Sequence, residues 1–156
     1  MKLSNLYQAP GHLVRRLQQI AVGIFLEELK EFDVTPVQYA ALIAISDCPG
    51  LDQKSVASQI AVDRSTIGTL LKVLEARQLI TRITPKKDKR TKTLFINEKG
   101  ERLLQGTLDH TRRVEKRILA PLNTRERKEF MALLGRLVQS NNKFSRVPLN
   151  PVTRND

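Results

Sequence analysis

The sequence has no tryptophan, one cysteine, two histidines and seven phenylalanines and tyrosines together in 156 residues. Each shortage excludes something. A lone Cys48 rules out a disulfide framework within the chain. Two histidines and one cysteine are too few for a Cys/His-type metal site within one chain. So few rings, mostly at core-type positions, leave no stacking platform for single-stranded nucleic acid, which disfavours an RNA-binding role. No apolar run approaches the roughly 18 residues that a membrane span needs. The stretch MKLSNLYQAPGH has no apolar core of a secretory signal, so a cytoplasmic location is expected. Glycine-rich phosphate loops, nucleophile elbows and paired-acid patterns are also absent from the sequence. The chain is therefore not expected to be an enzyme, and no cofactor or metal is expected.

What is present is charge of one sign. Apolar residues make up 40% and charged residues 28%, the balance of a globular protein, but the net charge is +11. One domain of this length can bury roughly 70% of its unfolded-chain surface without staples. The excess charge suggests a polyanionic partner. Residues 1–60 carry 5 basic and 6 acidic side chains, residues 61–100 carry 10 and 4, and residues 101–156 carry 12 and 6. The densest stretch runs from Arg82 to Lys92, where Arg82, Lys86, Lys87, Lys89, Arg90 and Lys92 stand against Asp88 alone. A charge run is most simply a solvated face, so it needs a structural context.

That context comes from periodicity. Pro10 suits the first turn of a helix whose Leu13, Leu17, Ile20 and Ile24 repeat at helical spacing, predicting a helix to about Phe32. Thr35, Pro36 and Gln38 form a capping-box start for a second helix, which Cys48-Pro49-Gly50 ends. Asp52 can cap a short third helix, and after a tight break at Ala61-Val62, Asp63 can cap a fourth from about Arg64 to Arg77. In the fourth, Ile67, Leu70, Leu71 and Leu74 lie on one face. Ser65, Gly68, Thr69 and Lys72 repeat the same spacing shifted by two residues, about 200° around the helix, with Arg64 at the edge. Short side chains there let a backbone lie close to a surface, and hydroxyls can donate to phosphates and base edges.

Two β-type runs, Ile80 to Thr84 and Thr93 to Asn97, flank the basic loop and predict a hairpin with a charged tip. A long helical stretch opens at Gly100 and breaks near Pro121. A last helix follows, with Asn123 and Glu126 as a capping box. From Asn141 the periodicity stops, and a mobile tail is expected. Two short helices joined by a tight turn, the second polar-faced and followed by a basic hairpin, form a winged helix-turn-helix. The second helix would enter the major groove, and the wing would reach the minor groove.

At this point the sequence resembles the multiple-antibiotic-resistance-regulator (MarR) family of winged-helix transcription factors. The resemblance runs through TPVQYAALIAI and on to Gly100, and is most specific in VDRSTIGTLLKVLE and in Asp88-Lys89-Arg90. It implies a mainly α fold with a small β-hairpin wing. Residues 1–34 and 101–142 would supply dimerisation helices around a DNA-binding domain at 35–100, with a tail at 143–156. It further implies a homodimer on a pseudopalindromic duplex operator. Arg64, Ser65, Thr66, Gly68, Thr69 and Lys72 would face the major groove. Lys86, Lys87, Lys89 and Arg90 would form the wing, Arg90 in the minor groove with Asp88 bracing it. The chain departs from the family pattern at Gln78, usually Gly, at Asn97, usually Thr, and at Gly68-Thr69, often larger or basic.

Family members often release DNA on binding small aromatic carboxylates. QAPGHLVRRLQQIAV followed by TPVQYAAL is similar to the subgroup repressing nicotinate-degradation genes. His12, Arg15, Arg16 and Tyr39 are the candidate ligand residues. An Arg can grip a carboxylate with two parallel bonds, and an aromatic ring can lie against the ligand ring. The simpler reading makes the two arginines surface charges and Tyr39 core. A repressor of a catabolic operon is expected. The alternatives are a constitutive DNA-binding protein without effector and a thiol-responsive regulator acting through Cys48.

Overall fold

The computed structural model describes residues 2–84 and 92–151. Its helices are α1 (Leu3–Tyr7), α2 (Pro10–Glu28), α3 (Pro36–Asp47), α4 (Gln53–Gln59), α5 (Arg64–Ala76), α6 (Glu98–Ile118) and α7 (Thr124–Asn141). Strands β1 (Ile80–Ile83) and β2 (Thr93–Ile96) pair antiparallel, with Ile80 opposite Ile96. An isolated bridge between Asp52 and Thr93 adds a third short edge. The expected capping boxes form: Thr35 with Gln38 opens α3, and Asn123 with Glu126 opens α7.

Two apolar cores divide the chain. The larger holds Leu42 and Ile45 from α3, Val56 from α4, Ile67, Leu71 and Leu74 from α5, and Ile80 and Leu94 from the strands. The smaller joins Phe25 and Leu29 to Val34 and to Val114 of α6. Along the same seam His110 takes Glu28 and Glu31 as partners and meets Phe32 edge-on, with ring centroids 5.0 Å apart. Glu28 accepts from Arg113 at 2.9 Å and from Arg117 at 2.8 Å, and these two guanidiniums, Arg113 first, hold its carboxyl below the ordinary range. The start of α6 is wedged against the sheet. A Cβ on Gly100 would come within 2.3 Å of the Leu79 carbonyl oxygen, so only glycine fits this approach.

Several expectations change. A continuous helix from Pro10 to Phe32 is replaced by α2 ending at Glu28, followed by a 3₁₀ turn, Lys30–Phe32. The turn seats Leu29 and Phe32 in the smaller core. Helix α6 begins at Glu98 rather than Gly100, and both strands are one residue shorter than read. Helix α1 has no counterpart among the expectations, because five residues are too few to show a period. A mobile tail is expected from residue 143. Instead, the described part is tied down as far as Asn150, because the Asn142 side chain pairs with both backbone groups of Leu149 and the Asn150 amide donates to the Ser58 carbonyl at 3.1 Å.

The departure at Gln78 has a physical meaning. Its φ is +60°, the left-handed region, and the chain closes α5 with Gln78 donating to the Glu75 carbonyl and Leu79 to the Leu74 carbonyl. Asn97, the second departure, donates to the Gln78 carbonyl at 3.2 Å and accepts from the Thr81 hydroxyl at 2.5 Å. A side chain in that conformation costs about 1–2 kcal/mol, against glycine's larger unfolded-state entropy of about 0.5–1 kcal/mol. Gln78→Gly is therefore expected to stabilise the fold by about 0.5–1 kcal/mol. A melting temperature that stays level or falls in a thermal scan would contradict this.

Candidate nucleic-acid interface

The site begins with two aspartates. Asp52 starts α4 by accepting from the Ser55 amide at 2.7 Å. The chain then leaves α4 through Ala61, whose φ of +52° turns it sharply into Asp63. Asp63 accepts from the amides of Ser65 and Thr66 at 3.1 and 2.9 Å and from their hydroxyls at 2.6 and 2.9 Å. These bonds, the Ser65 hydroxyl first, hold the Asp63 carboxyl well below the usual carboxylate range. Asp52 is lowered too, chiefly by Ser55.

With α5 anchored, its rotation follows from burial. Ile67, Leu70, Leu71 and Leu74 are withdrawn from water, while Arg64, Ser65, Thr66, Thr69 and Lys72 are exposed. Gly68 is half-buried beside Gln53 of α4, with ordinary room for a Cβ. One expectation is refined. The Ser65 and Thr66 hydroxyl protons are taken by Asp63, so these side chains face outward as acceptors rather than donors.

Between α4, α5 and the strands lies a cavity of about 810 Å³, lined among others by Lys54, Arg64, Arg82 and Lys92, with Asp52 the carboxylate among the described residues of its walls. Arg82 is largely buried. Its Nε lies 2.9 Å from Glu75 Oε2, close enough for the charges to pair but off the line of a hydrogen bond, and among the described residues Nε and Nη2 have no hydrogen-bond partner. Lys54 is the member that sequence reasoning misses. It comes from α4 and joins the basic surface only because α4 packs against α5. Lys86, Lys87, Asp88, Lys89 and Arg90, the expected wing, lie outside the described residues.

The candidate ligand residues sit elsewhere. His12 is half-buried with its ring 5.7 Å from Tyr7, Arg15 is exposed, and Arg16 is exposed and donates to Gln19 at 3.0 Å. Tyr39 packs 5.7 Å from Phe25, beside the smaller core. Cys48 is half-buried, its thiol donating to Asp47 and accepting from Gln59; neither neighbour is the cation that promotes thiolate chemistry. Among the described residues no group of three or more His, Cys, Asp or Glu could hold a metal, and no helix is long and apolar enough to cross a membrane.

The MarR family model matches residues 34–92, which span α3 to the edge of β2. The HTH-type transcriptional regulator YybA of Bacillus subtilis is 34% identical over 138 residues, covering 86% of this chain and 87% of its own. This chain belongs to the MarR family. It is a transcriptional regulator of the MarR type. The HTH-type transcriptional repressor NicR of Pseudomonas putida is 28% identical over 130 residues, covering 83% of this chain and 82% of its own. The crystal structure of the PcaV transcriptional regulator of Streptomyces coelicolor, in complex with its natural ligand, superposes with a TM-score of 0.77 at 32% identity, covering 89% of this chain and 98% of that one. Each of these relatives is described as a transcriptional regulator or repressor.

The two lowered aspartates set a pH dependence. They bind protons less tightly in the folded than in the unfolded chain. Their stabilising share is therefore complete above about pH 4 and is lost as the pH falls below it. Asp63→Asn keeps a capping side chain but loses the charge. Urea unfolding of that variant is expected to lose stability less steeply than wild type between pH 5 and pH 2.5. An equally steep acid limb would show that Asp63 carries none of it.

Proposed function

We propose that the protein is a homodimeric repressor that holds a pseudopalindromic duplex operator and lets it go when a small aromatic carboxylate binds. The observation that carries the DNA half is the outward face of α5, where Arg64, Ser65, Thr66, Thr69 and Lys72 are all exposed while the opposite face is buried. Gly68 keeps that surface low. The Asp63 bonds leave Ser65 and Thr66 as acceptors for base amino groups in the major groove. Lys86, Lys87 and Lys89 follow phosphates, Arg90 enters the minor groove, and Asp88 braces the wing. Lys54, Arg82 and Lys92 extend the same positive surface.

The dimer reading rests on apolar surface left uncovered. Helix α7 has no buried residue, and its Leu137 and Val138 are more than half exposed, as are Leu13 and Val14 of α2. An apolar surface spread over the first and last helices fits a second copy of this chain. The working protein is then cytoplasmic, as a soluble DNA-binding dimer must be.

For the effector, a hydroxylated nicotinate or benzoate would meet Arg15 or Arg16 through its carboxylate and His12 and Tyr39 through its ring. The corner between α2 and α3 is tied to α5. The Arg77 guanidinium, at the end of α5, donates to the carbonyls of Phe32 (3.0 Å) and Asp33 at the corner between α2 and α3. A ligand that moves this corner also moves α5.

Arg90→Ala is expected to weaken binding to the promoter DNA beside the protein's own gene at least about ten-fold at physiological salt. Unchanged affinity in a gel-shift titration would refute the wing reading, and equal affinity for duplex RNA would refute duplex-DNA selectivity. Hydroxylated pyridine and benzene carboxylates are expected to raise the melting temperature of wild type and not of Arg15→Ala/Arg16→Ala. No shift with any of them would favour the constitutive alternative.

A further inference from the structure

The C-terminal residues 101–156 contribute 12 basic against 6 acidic side chains, an excess that neither α5 nor the wing explains. Part of it returns to the DNA-binding half of the molecule. After α7 the chain makes one 3₁₀ turn, Asn142–Phe144, and doubles back. Asn142 closes the return, donating from Nδ2 to the Leu149 carbonyl at 2.9 Å and accepting from the Leu149 amide at 2.8 Å. Ser145 and Val147 lock the loop inside that closure, the Ser145 hydroxyl donating to the Val147 carbonyl at 2.9 Å. The Asn150 amide then donates to the Ser58 carbonyl, in the last turn of α4, where a helix leaves carbonyls without partners. Ser58 stands five residues before Asp63, so the clasped loop lies beside the start of α5. Arg146, at its exposed tip, is near enough to Asp63 for its positive charge to act on that carboxylate, which is already engaged by Ser65 and Thr66.

We infer that residues 142–150 form a second DNA-contacting arm, in which the Asn142 clasp and the Asn150–Ser58 bond hold Arg146 beside the start of α5 to meet a backbone phosphate flanking the major groove. The inference rests on the DNA-binding reading of α5, because the helix-turn-helix places that end of the helix at the bases and the flanking phosphates within reach. Its ligand is the duplex backbone. A guanidinium takes a phosphate through paired N–H donors, and the contact carries no sequence information. The arm adds affinity and register, and operator choice stays with α5.

The test uses the full chain and a 30-base-pair duplex of unrelated sequence, with binding followed by fluorescence anisotropy between 50 and 200 mM KCl. Each lost phosphate contact reduces the slope of log K against log salt by about 0.9, so Arg146→Gln is expected to lower it by about 0.9 per chain and weaken binding at least about five-fold. Arg146→Lys should keep the slope. Asn142→Ala, which opens the clasp, should weaken binding in the same direction. Arg112→Gln removes the same charge from α6, where Arg112 pairs with Asp109, and should change neither slope nor affinity. If wild type binds and Arg146→Gln binds with the same slope, the arm is overturned and the α5 reading stands, even if the melting temperature moves. Tighter binding by Arg146→Gln would make the loop a competitor of DNA and also overturn the arm. If wild type fails to bind the duplex at all, both readings fall.

Discussion

Helix α5 can turn only one face outward, because Ile67, Leu70, Leu71 and Leu74 are held in the larger core on the other. Burying a side chain of this size is worth roughly 1.5–3 kcal/mol, so the four together resist rotation by about 6–12 kcal/mol as an upper limit. A shift of two residues around the axis would forfeit most of that. The polar face, the groove with Lys54 and Arg82, and the approach of the C-terminal loop all depend on this setting. Asp63 then fixes where the helix starts, so both rotation and register along the axis are determined by contacts that do not involve nucleic acid.

On α5 the buried face and the Asp63 cap set the geometry, so most of the exposed face is not needed to hold the helix in place. Ser65 and Thr66 are the exception, since their hydroxyls serve Asp63 and face outward at once. The helix is therefore least replaceable at its first turn. At the other end, Arg77 ties α5 to the corner between α2 and α3, so the two ends answer to different parts of the molecule.

Much of this is legible in the sequence, for a physical reason. Periodicity and capping are local, so α3 with Thr35 and Gln38, α7 with Asn123 and Glu126, and the two faces of α5 can all be read from a few neighbouring residues. The basic hairpin is equally local in its flanks, Ile80–Ile83 and Thr93–Ile96. What escapes is contact between side chains and backbone far apart in the chain. The bonds from Asn97 to Gln78, from Asn150 to Ser58 and from Arg77 to Phe32 leave no periodic trace. Lys54 and Arg82 share a cavity wall only after α4 and the strands have packed. For the same reason the sequence nominates His12, Arg15, Arg16 and Tyr39 together, whereas in the fold Tyr39 packs against Phe25 beside the smaller core while Arg15 and Arg16 stay exposed.

Helix α6 has 21 residues and is fixed at both extremities, by Gly100 pressed against Leu79 and by Arg113 and Arg117 on Glu28. At 1.5 Å per residue it is a strut about 31 Å long. A strut fixed at its ends behaves as a lever arm: tilting it by about 10° at the α2 end swings the sheet end through about 5 Å. In a two-fold assembly the two arms swing in opposite directions, and the displacements add. On half-sites one turn of duplex apart, such an assembly would tolerate no such error: a rotation too small to disturb either core would throw its two α5 faces out of step with the DNA pitch.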